Sequence, residues 1–379
     1  MKKILIIFCL LGCFAFYDCS NNNEHTDPPG PTLEERLQAI VDSKVGDNKL
    51  VGATVSVRVN GEERWNLAGG NSDITTTMNS NMRFGIASIT KTVAAACILK
   101  LEEEGLLSLD DTIADHITVT NPNINIGITI FQLLNHLSGL DGFMVQDLWN
   151  IVEADYNTPL SYQTLTDFVL PPHSDPDVGY YYSNSNYLLL GMIIEAASGQ
   201  TVGEVMRTRF WTPLQLNNTY FGKNETIQGP IAAPWRDGNG DGTLTDISSE
   251  YGPAYHSVFF TAADVFTNVS DLSNWAHHLY AGNALTEASK TKMLNFLLID
   301  SGSIYWDGYG LGVRRIYMSS GIEYWGHTGG MRGYGSYMLY DPISGVTIAM
   351  LNNQSRSDNG PTLRFELVDE ILNEIMPEL

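Results

Sequence analysis

Basic residues are scarce in this chain, with 21 lysines and arginines against 43 aspartates and glutamates and a formal net charge of -22. A polyanion would be repelled by such a surface, which excludes a nucleic-acid partner and docking on anionic lipid through a basic patch. Cysteine is nearly absent. Of four, Cys9, Cys13 and Cys19 fall in the first nineteen residues, which leaves Cys97 alone. No disulfide can then form within the remaining chain, and a lone thiol of this kind belongs in a core. The apolar run that ends at Tyr17 is too short for a comfortable membrane span. No H-E-x-x-H occurs, which argues against catalytic zinc. No G-x-S-x-G occurs, which argues against an α/β-hydrolase. There is no internal repeat, and no cofactor is called for.

The chain opens "MKKILIIFCLLGCFAFYDCSNNNEHTDPPGP". Two lysines, an apolar run and then polar residues and prolines read as an export signal followed by a flexible tether. The segment resembles a bacterial lipoprotein signal. Cys13 follows the small residue of "LLGC" but leaves a short apolar core, whereas Cys19 gives a better length before the tether "SNNNE". The expected division is a signal over 1–19, a tether over 20–33 and one folded domain over 34–379. A lipid anchor would be the only membrane attachment, holding the domain on the cell envelope toward the periplasm or exterior.

Within the domain, "TLEERLQAIVDSKV" reads as a first helix, and "GATVSVRVNGEERWNLAGG" as a hairpin turning at Asn60-Gly61. In "FGIASITKTVAAACILKLEEEG", Ile89, Val93, Cys97 and Leu101 predict a helix buried along one face, with Gly105 closing it. Residues from about Asp110 to Pro230 are helix-like and loop-rich, and "VSDLSNWAHHLYAG" predicts another helix. Strands return in "EYWGHTGG", "GYGSYMLYDPISG" and "VTIAMLNN", before a closing helix "LRFELVDEILNEIM". The expected fold is α/β of the α+β kind: one antiparallel sheet made from both chain ends, flanked by helices, with a helical lobe from the middle. A cleft between the two is the natural place for a site.

Ser88 and Lys91 stand three apart at the start of that helix and so share a face. An N-cap serine with a solvated lysine is one reading; a nucleophile beside a base of lowered pKa is the other. "SKTK", Ser289 to Lys292, has the same spacing and serves as a decoy. Downstream residues separate the two. After Ser88 come Tyr182 and Asn184 in "YYYSNSNYLLLG", then His327, Thr328 and Gly329 in "GHTGG". In that order, Ser88-x-x-Lys91, Tyr182-x-Asn184 and His327-Thr328-Gly329 resemble the serine β-lactamase and penicillin-binding superfamily. The resemblance is nearest to class C β-lactamases, D-alanyl-D-alanine carboxypeptidases and related esterases and D-aminopeptidases. It covers nearly all of residues 34–379, with lesser matches in "LLNHLSGL", "YGLGV" and "SYMLYDPISGVTIAMLNN".

That resemblance implies a β-lactamase-like fold and a set of roles. Ser88 would be the acylated nucleophile, with base duty shared between Lys91 and Tyr182. Asn184 would hold Lys91 and the substrate's acyl side chain. His327 occupies a position that is lysine in many β-lactamases, which counts against an efficient β-lactamase here. The N–H groups of Ser88 and Gly330 would form an oxyanion hole, with Gly329 and Gly330 leaving room for the substrate. The expected activity is hydrolysis of peptidoglycan-type D-alanyl peptides or β-lactams. The alternatives are an esterase or D-amino-acid amidase with the same machinery, or a catalytically silent penicillin-binding sensor. The substrate would be a small molecule or peptidoglycan fragment. Its carboxylate needs an anchor; Arg332, the fixed cation nearest to the third motif in sequence, is the expected one, with Asn352 near it. Finally, "DGNGDGTLTD" has the oxygen spacing of a calcium loop in Asp237, Asn239, Asp241 and Asp246, without a glutamate at the twelfth place.

Overall fold

A computed structural model describes residues 30–300, 302–355 and 360–379; the expected signal, with Cys13 and Cys19, and most of the tether lie outside them. One folded unit runs from Leu33 to Leu379. Its first hairpin joins β1 (Gly52–Val59) to β2 (Glu62–Gly70). Asn60 and Gly61 at the turn both take positive φ, 51° and 85°, as a two-residue turn matched to strand twist requires. Along β1 the apolar Ala53, Val55 and Val57 alternate with Thr54 and Ser56, and all five are buried. Both faces of the sheet are therefore covered. Ala53, Val55 and Val57 join Leu37 and Val41 of α1 (Leu33–Ser43) in one core. On the opposite face Ser56 Oγ meets Ser273 Oγ of the helix Val269–Tyr280 at 2.9 Å.

The other strands of the same sheet are β3 (Leu297–Leu298), β4 (Trp306–Tyr309), β5 (Arg314–Tyr317), β6 (Glu323–Met331), β7 (Tyr334–Tyr340) and β8 (Val346–Asn352). They form one eight-stranded sheet in the order β2-β1-β8-β7-β6-β5-β4-β3. Every neighbouring pair is antiparallel, and β1 pairs with β8 from Ala53↔Asn352 to Val59↔Val346. The sheet is thus built from both chain ends, as expected. The closing helix runs from Gly360 to Ile375 and buries Leu367, Val368 and Ile371 beside α1. No described helix is long and apolar enough to cross a membrane.

The helical part centres on α2 (Thr90–Glu103), with α3 (Asn184–Ser198) and α4 (Pro253–Ala263) packed against it. Here the expectation needs correcting. The stripe Ile89, Val93, Cys97, Leu101 is buried, but so is every residue from Thr90 to Leu99, so α2 is a central helix rather than a half-exposed one. Its polar residues survive burial by finding partners. Thr92 Oγ1 donates to Ile89 O at 2.8 Å and accepts from Trp275 Nε1 at 3.0 Å. Cys97 is a free thiol in this core.

Candidate functional site

Ser88 does not cap α2. It sits in a single 3₁₀ turn, Ala87–Ile89, that joins the short strand Phe84–Gly85 to the helix. Ala87 holds φ at 51°, a left-handed conformation that costs an L-residue about 1–2 kcal/mol. Neighbours hold the strain in place. Ser336 Oγ of β7 donates to Ile86 O at 2.8 Å, and a side chain at Gly329 of β6 would press into that same carbonyl and into Ala87. Gly329 therefore lets the strand lie against the serine turn, whereas a side chain at Gly330 would meet only open space. The pairing of β5 with β6 ends at Gly326, so residues 327–331 present an edge with no strand on that side. Ser88, Tyr182, Arg314, Thr328, Gly329 and Gly330 line one cleft of about 680 Å³.

Lys91 is fully buried, one helical turn beyond Ser88. Its Nζ lies 3.1 Å from Ser88 Oγ, 2.8 Å from Asn184 Oδ1 and 2.8 Å from the Ala262 carbonyl. The last two partners can only accept, so each takes one N–H. The remaining tetrahedral position faces Ser88, where a neutral amine carries a lone pair and an ammonium a proton. Burial lowers the Lys91 pKa and Arg314 lowers it further; a Tyr182 phenolate opposes both, and the net direction is down. The Ala262 carbonyl is available because it lies in the last turn of α4, where carbonyls have no partner within the helix. Phe260 takes φ 32° and ψ -138°, an outlier for an aromatic residue inside a helix, just upstream of Ala262.

Tyr182 lies two residues ahead of α3, whose N-cap Ser183 and second residue Ser185 both donate through their hydroxyls to the Asp141 carbonyl. The enclosed Tyr182 hydroxyl makes no hydrogen bond within 3.5 Å among the described residues. Lys91 Nζ is 5.0 Å from the centre of its ring and the Arg314 guanidinium 5.4 Å. Burial alone would raise the phenol's pKa, but Lys91, Arg314 and the proximity of Ser88 outweigh it and lower it. Both directions ease the loss of a proton from this pair, which lies next to a serine hydroxyl. The decoy is different: Ser289 is buried in the helix Glu287–Met293, where its N–H donates to the N-cap Thr286.

A family model described as Beta-lactamase matches residues 37–373. The chain belongs to the β-lactamase family. Among curated relatives, penicillin-binding protein 4 of Amycolatopsis lactamdurans is 28% identical over 360 residues, covering 88% of this chain and 89% of that protein. Penicillin-binding protein 4* of Bacillus subtilis is 25% identical over 356 residues, 89% and 76% of the two chains. Among solved structures, the D-amino acid amidase of Ochrobactrum anthropi SV3, complexed with L-phenylalanine amide, superimposes with a TM-score of 0.79. It is 26% identical, over 91% of this chain and 99% of that one.

This β-lactamase-family site differs from the sequence expectation at several positions. His327 is fully buried and does not line the cleft; its ring lies behind Tyr182, 6.2 Å between centroids. Arg332 reaches the cleft but is already paired, at 2.9 Å with Glu153 and 3.3 Å with Glu250, and is stacked 4.0 Å over Trp149. Asn352 is buried, donating Nδ2 to Gln354 O, and lies outside the cleft lining. Sequence reasoning missed three cations that line this cleft, Arg236, Arg364 and Arg314, of which Arg314 touches the third motif. It donates Nη1 to Thr328 Oγ1 at 2.7 Å, stacks over Trp306 and has no carboxylate partner among the described residues. Its signal was "YGLGVRR", where Gly312 lies so close to the Lys91 carbonyl and Ala95 that a side chain would clash. That contact sets Arg314 at the cleft two residues later.

The calcium expectation finds no support in the loop's geometry. Asp237 accepts from the Gly240 and Gly242 N–H groups, Asp241 from Thr243 N–H and the Asn239 amide, and Asp246 from Ser248. Their oxygens turn in on the loop itself. Among the described residues no three His, Cys, Asp or Glu side chains converge to hold a metal.

Proposed function

We propose that this chain hydrolyses amide bonds of D-amino-acid substrates through an acyl-enzyme on Ser88. The observation that carries the reading is the placement of Lys91, with two hydrogens anchored on Asn184 and Ala262 and its third position aimed at Ser88 Oγ. In the first step the serine proton passes to the Lys91–Tyr182 pair as Oγ attacks the carbonyl carbon. The N–H groups of Ser88 and Gly330 bind the oxyanion, each such donor worth about 3 kcal/mol. Collapse breaks the C–N bond, and the held proton leaves with the amine by way of Tyr182. Water then attacks the ester, losing its proton to the same pair, and the serine is restored. No step needs a metal or cofactor. A binder that forms no acyl-enzyme has no use for this arrangement.

The likeness to a D-amino acid amidase and to penicillin-binding proteins supports the D-configured amide. Arg314 favours a refinement, in which the substrate carries a carboxylate beyond the scissile bond, as a D-alanyl peptide does. Its planar fork has one side on Thr328 and faces the cleft with no acid of its own. The family assignment fits a hydrolase working outside the cytoplasm, and the lipid anchor at Cys13 or Cys19 remains part of the proposal. The test is covalent labelling. A fluorophosphonate and a fluorescent penicillin, mapped by mass, should mark Ser88. Ser88→Ala should lose both labelling and turnover, while Ser289→Ala keeps both. Turnover by a folded Ser88→Ala protein would overturn the reading.

A further inference from the structure

Behind Tyr182 lie two buried histidines joined by a tyrosine. His136 Nε2 and His327 Nε2 each lie 3.3 Å from Tyr309 Oη. Backbone groups fix the direction of this chain at both ends. At one end the Ser183 N–H points at His136 Nδ1 at 3.2 Å, so Nδ1 must accept and carries no proton. Asn186 Nδ2 donates to the same nitrogen at 2.9 Å. Its amide is held that way round because Ser138 Oγ accepts from Leu140 N–H and sends its own proton to Asn186 Oδ1 at 2.6 Å. At the other end His327 Nδ1 lies 2.6 Å from the Thr328 carbonyl, which can only accept, so this nitrogen is protonated.

We infer that His136, Tyr309 and His327 are positioning residues for the site, forming one uncharged hydrogen-bond chain that runs from α3 to Thr328. His136 donates Nε2–H to Tyr309, Tyr309 donates its O–H to His327 Nε2, and His327 donates Nδ1–H to Thr328 O. Both imidazoles are neutral in this order, and every ring nitrogen has a partner. Burial holds both well below the ordinary histidine range, and Lys91 and Arg314 push the same way. The chain ends where it matters. Thr328 has its carbonyl taken by His327 and its hydroxyl oxygen by Arg314, so two of its three polar groups are fixed. Along a strand, residues two apart direct their backbone groups to the same edge. The Thr328 carbonyl therefore shares the edge of the Gly330 N–H. On its way the chain packs His136 against the Tyr182 ring, 4.4 Å between centroids, without adding a third positive charge beside it.

The kinetic part of this inference rests on the Ser88 reading; the tautomers do not. Protein labelled with ¹⁵N-histidine gives the deciding spectrum, the signals of these two rings being picked out from those of the eight histidines with His136→Gln and His327→Gln. In the unaltered protein His136 should be the Nε2–H tautomer and His327 the Nδ1–H tautomer, both unchanged between about pH 5 and pH 9. Tyr309→Phe removes the central hydroxyl and leaves two buried nitrogens unpaired. It should lower kcat for a D-alanyl peptide by about tenfold to a hundredfold. It should also reduce the preference for a free carboxylate over a carboxamide as Thr328 and Arg314 loosen. His327 found as Nε2–H, either ring titrating in that range, or a folded Tyr309→Phe enzyme with unchanged kcat would overturn the inference. Were Ser88 dispensable for turnover, the spectrum would still decide whether the chain exists.

Discussion

Replacing Arg314 by alanine separates recognition of charge from chemistry. The guanidinium faces the cleft, spends one N–H on Thr328 and has no carboxylate among the described residues to compete for it. A charged hydrogen bond lost on binding costs about 1.5–3 kcal/mol, or about 10- to 150-fold in kcat/KM. The matched substrates are an N-acyl-D-alanyl-D-alanine and its C-terminal carboxamide, which share acyl group, scissile bond and shape. A second effect must be removed first. Arg314 is one of the charges that lower the Tyr182 pKa, so its loss raises that pKa. If ionised Tyr182 takes the proton, activity rises with pH through its pKa, and in Arg314→Ala that limb moves to higher pH for both substrates. Compared on the plateau, the carboxylate substrate should lose about 10- to 150-fold more than the carboxamide. Arg314→Lys should restore the pH limb better than the carboxylate preference, since lysine keeps the charge without the fork. Equal plateau losses on the two substrates would refute the anchor and move the reading to an amidase indifferent to charge.

Three further outcomes are expected. Tyr182→Phe should lower kcat by about 100-fold or more on every amide, the scale of a general acid–base group; a change of only a few-fold would make it a wall of the site. Arg332→Ala breaks the pairs with Glu153 and Glu250 and uncovers Trp149, so Tm should fall by a few degrees while KM stays within about twofold; a KM rise confined to carboxylate substrates would return the anchor to Arg332. Burial would raise the Glu103 pKa, but Lys100, Ser289 and Thr286 hold it at about 2. Its contribution to stability is therefore present above the ordinary glutamate pKa and lost as pH falls toward 2. Glu103→Gln should flatten that stretch of the acid-unfolding curve, and an unchanged curve would show that the interaction contributes nothing.

Where local rules decide, the sequence was readable. The hairpin declared itself by alternation and Asn60-Gly61, α1 by its periodicity, and the strands of the third motif by their aromatic and β-branched residues. β3 to β5 were not anticipated, because strands of two to four residues carry too little pattern. The full burial of α2 was hidden because Thr90, Lys91 and Thr92 look like a solvated first turn. Only the partners reached from Ala262, Val265 and Trp275 make them interior residues. Arg332 and Arg314 exchanged places for the same reason. Whether an arginine is free depends on acids remote in sequence, and Glu153 lies 179 residues from Arg332. His136 stands within the matching stretch "LLNHLSGL" but has no role that sequence alone could give it, since Tyr309 and His327 meet it only in the folded chain.

The pairing of β1 with β8 joins residue 53 to residue 352. Loop closure over such a span is entropically slow to achieve, and rates fall as contacts become less local. On the proposed mechanism Ser88 is the nucleophile and the edge bearing Gly330 follows it in the chain, so the serine is made before its oxyanion donor. During synthesis the growing polypeptide therefore carries Ser88 without the strand that would complete it. An unfinished chain has a hydroxyl and an amine but no edge against which to hold a substrate. Chemistry begins only when the final strand has closed on the first, and activity becomes a report that the whole sheet has been assembled.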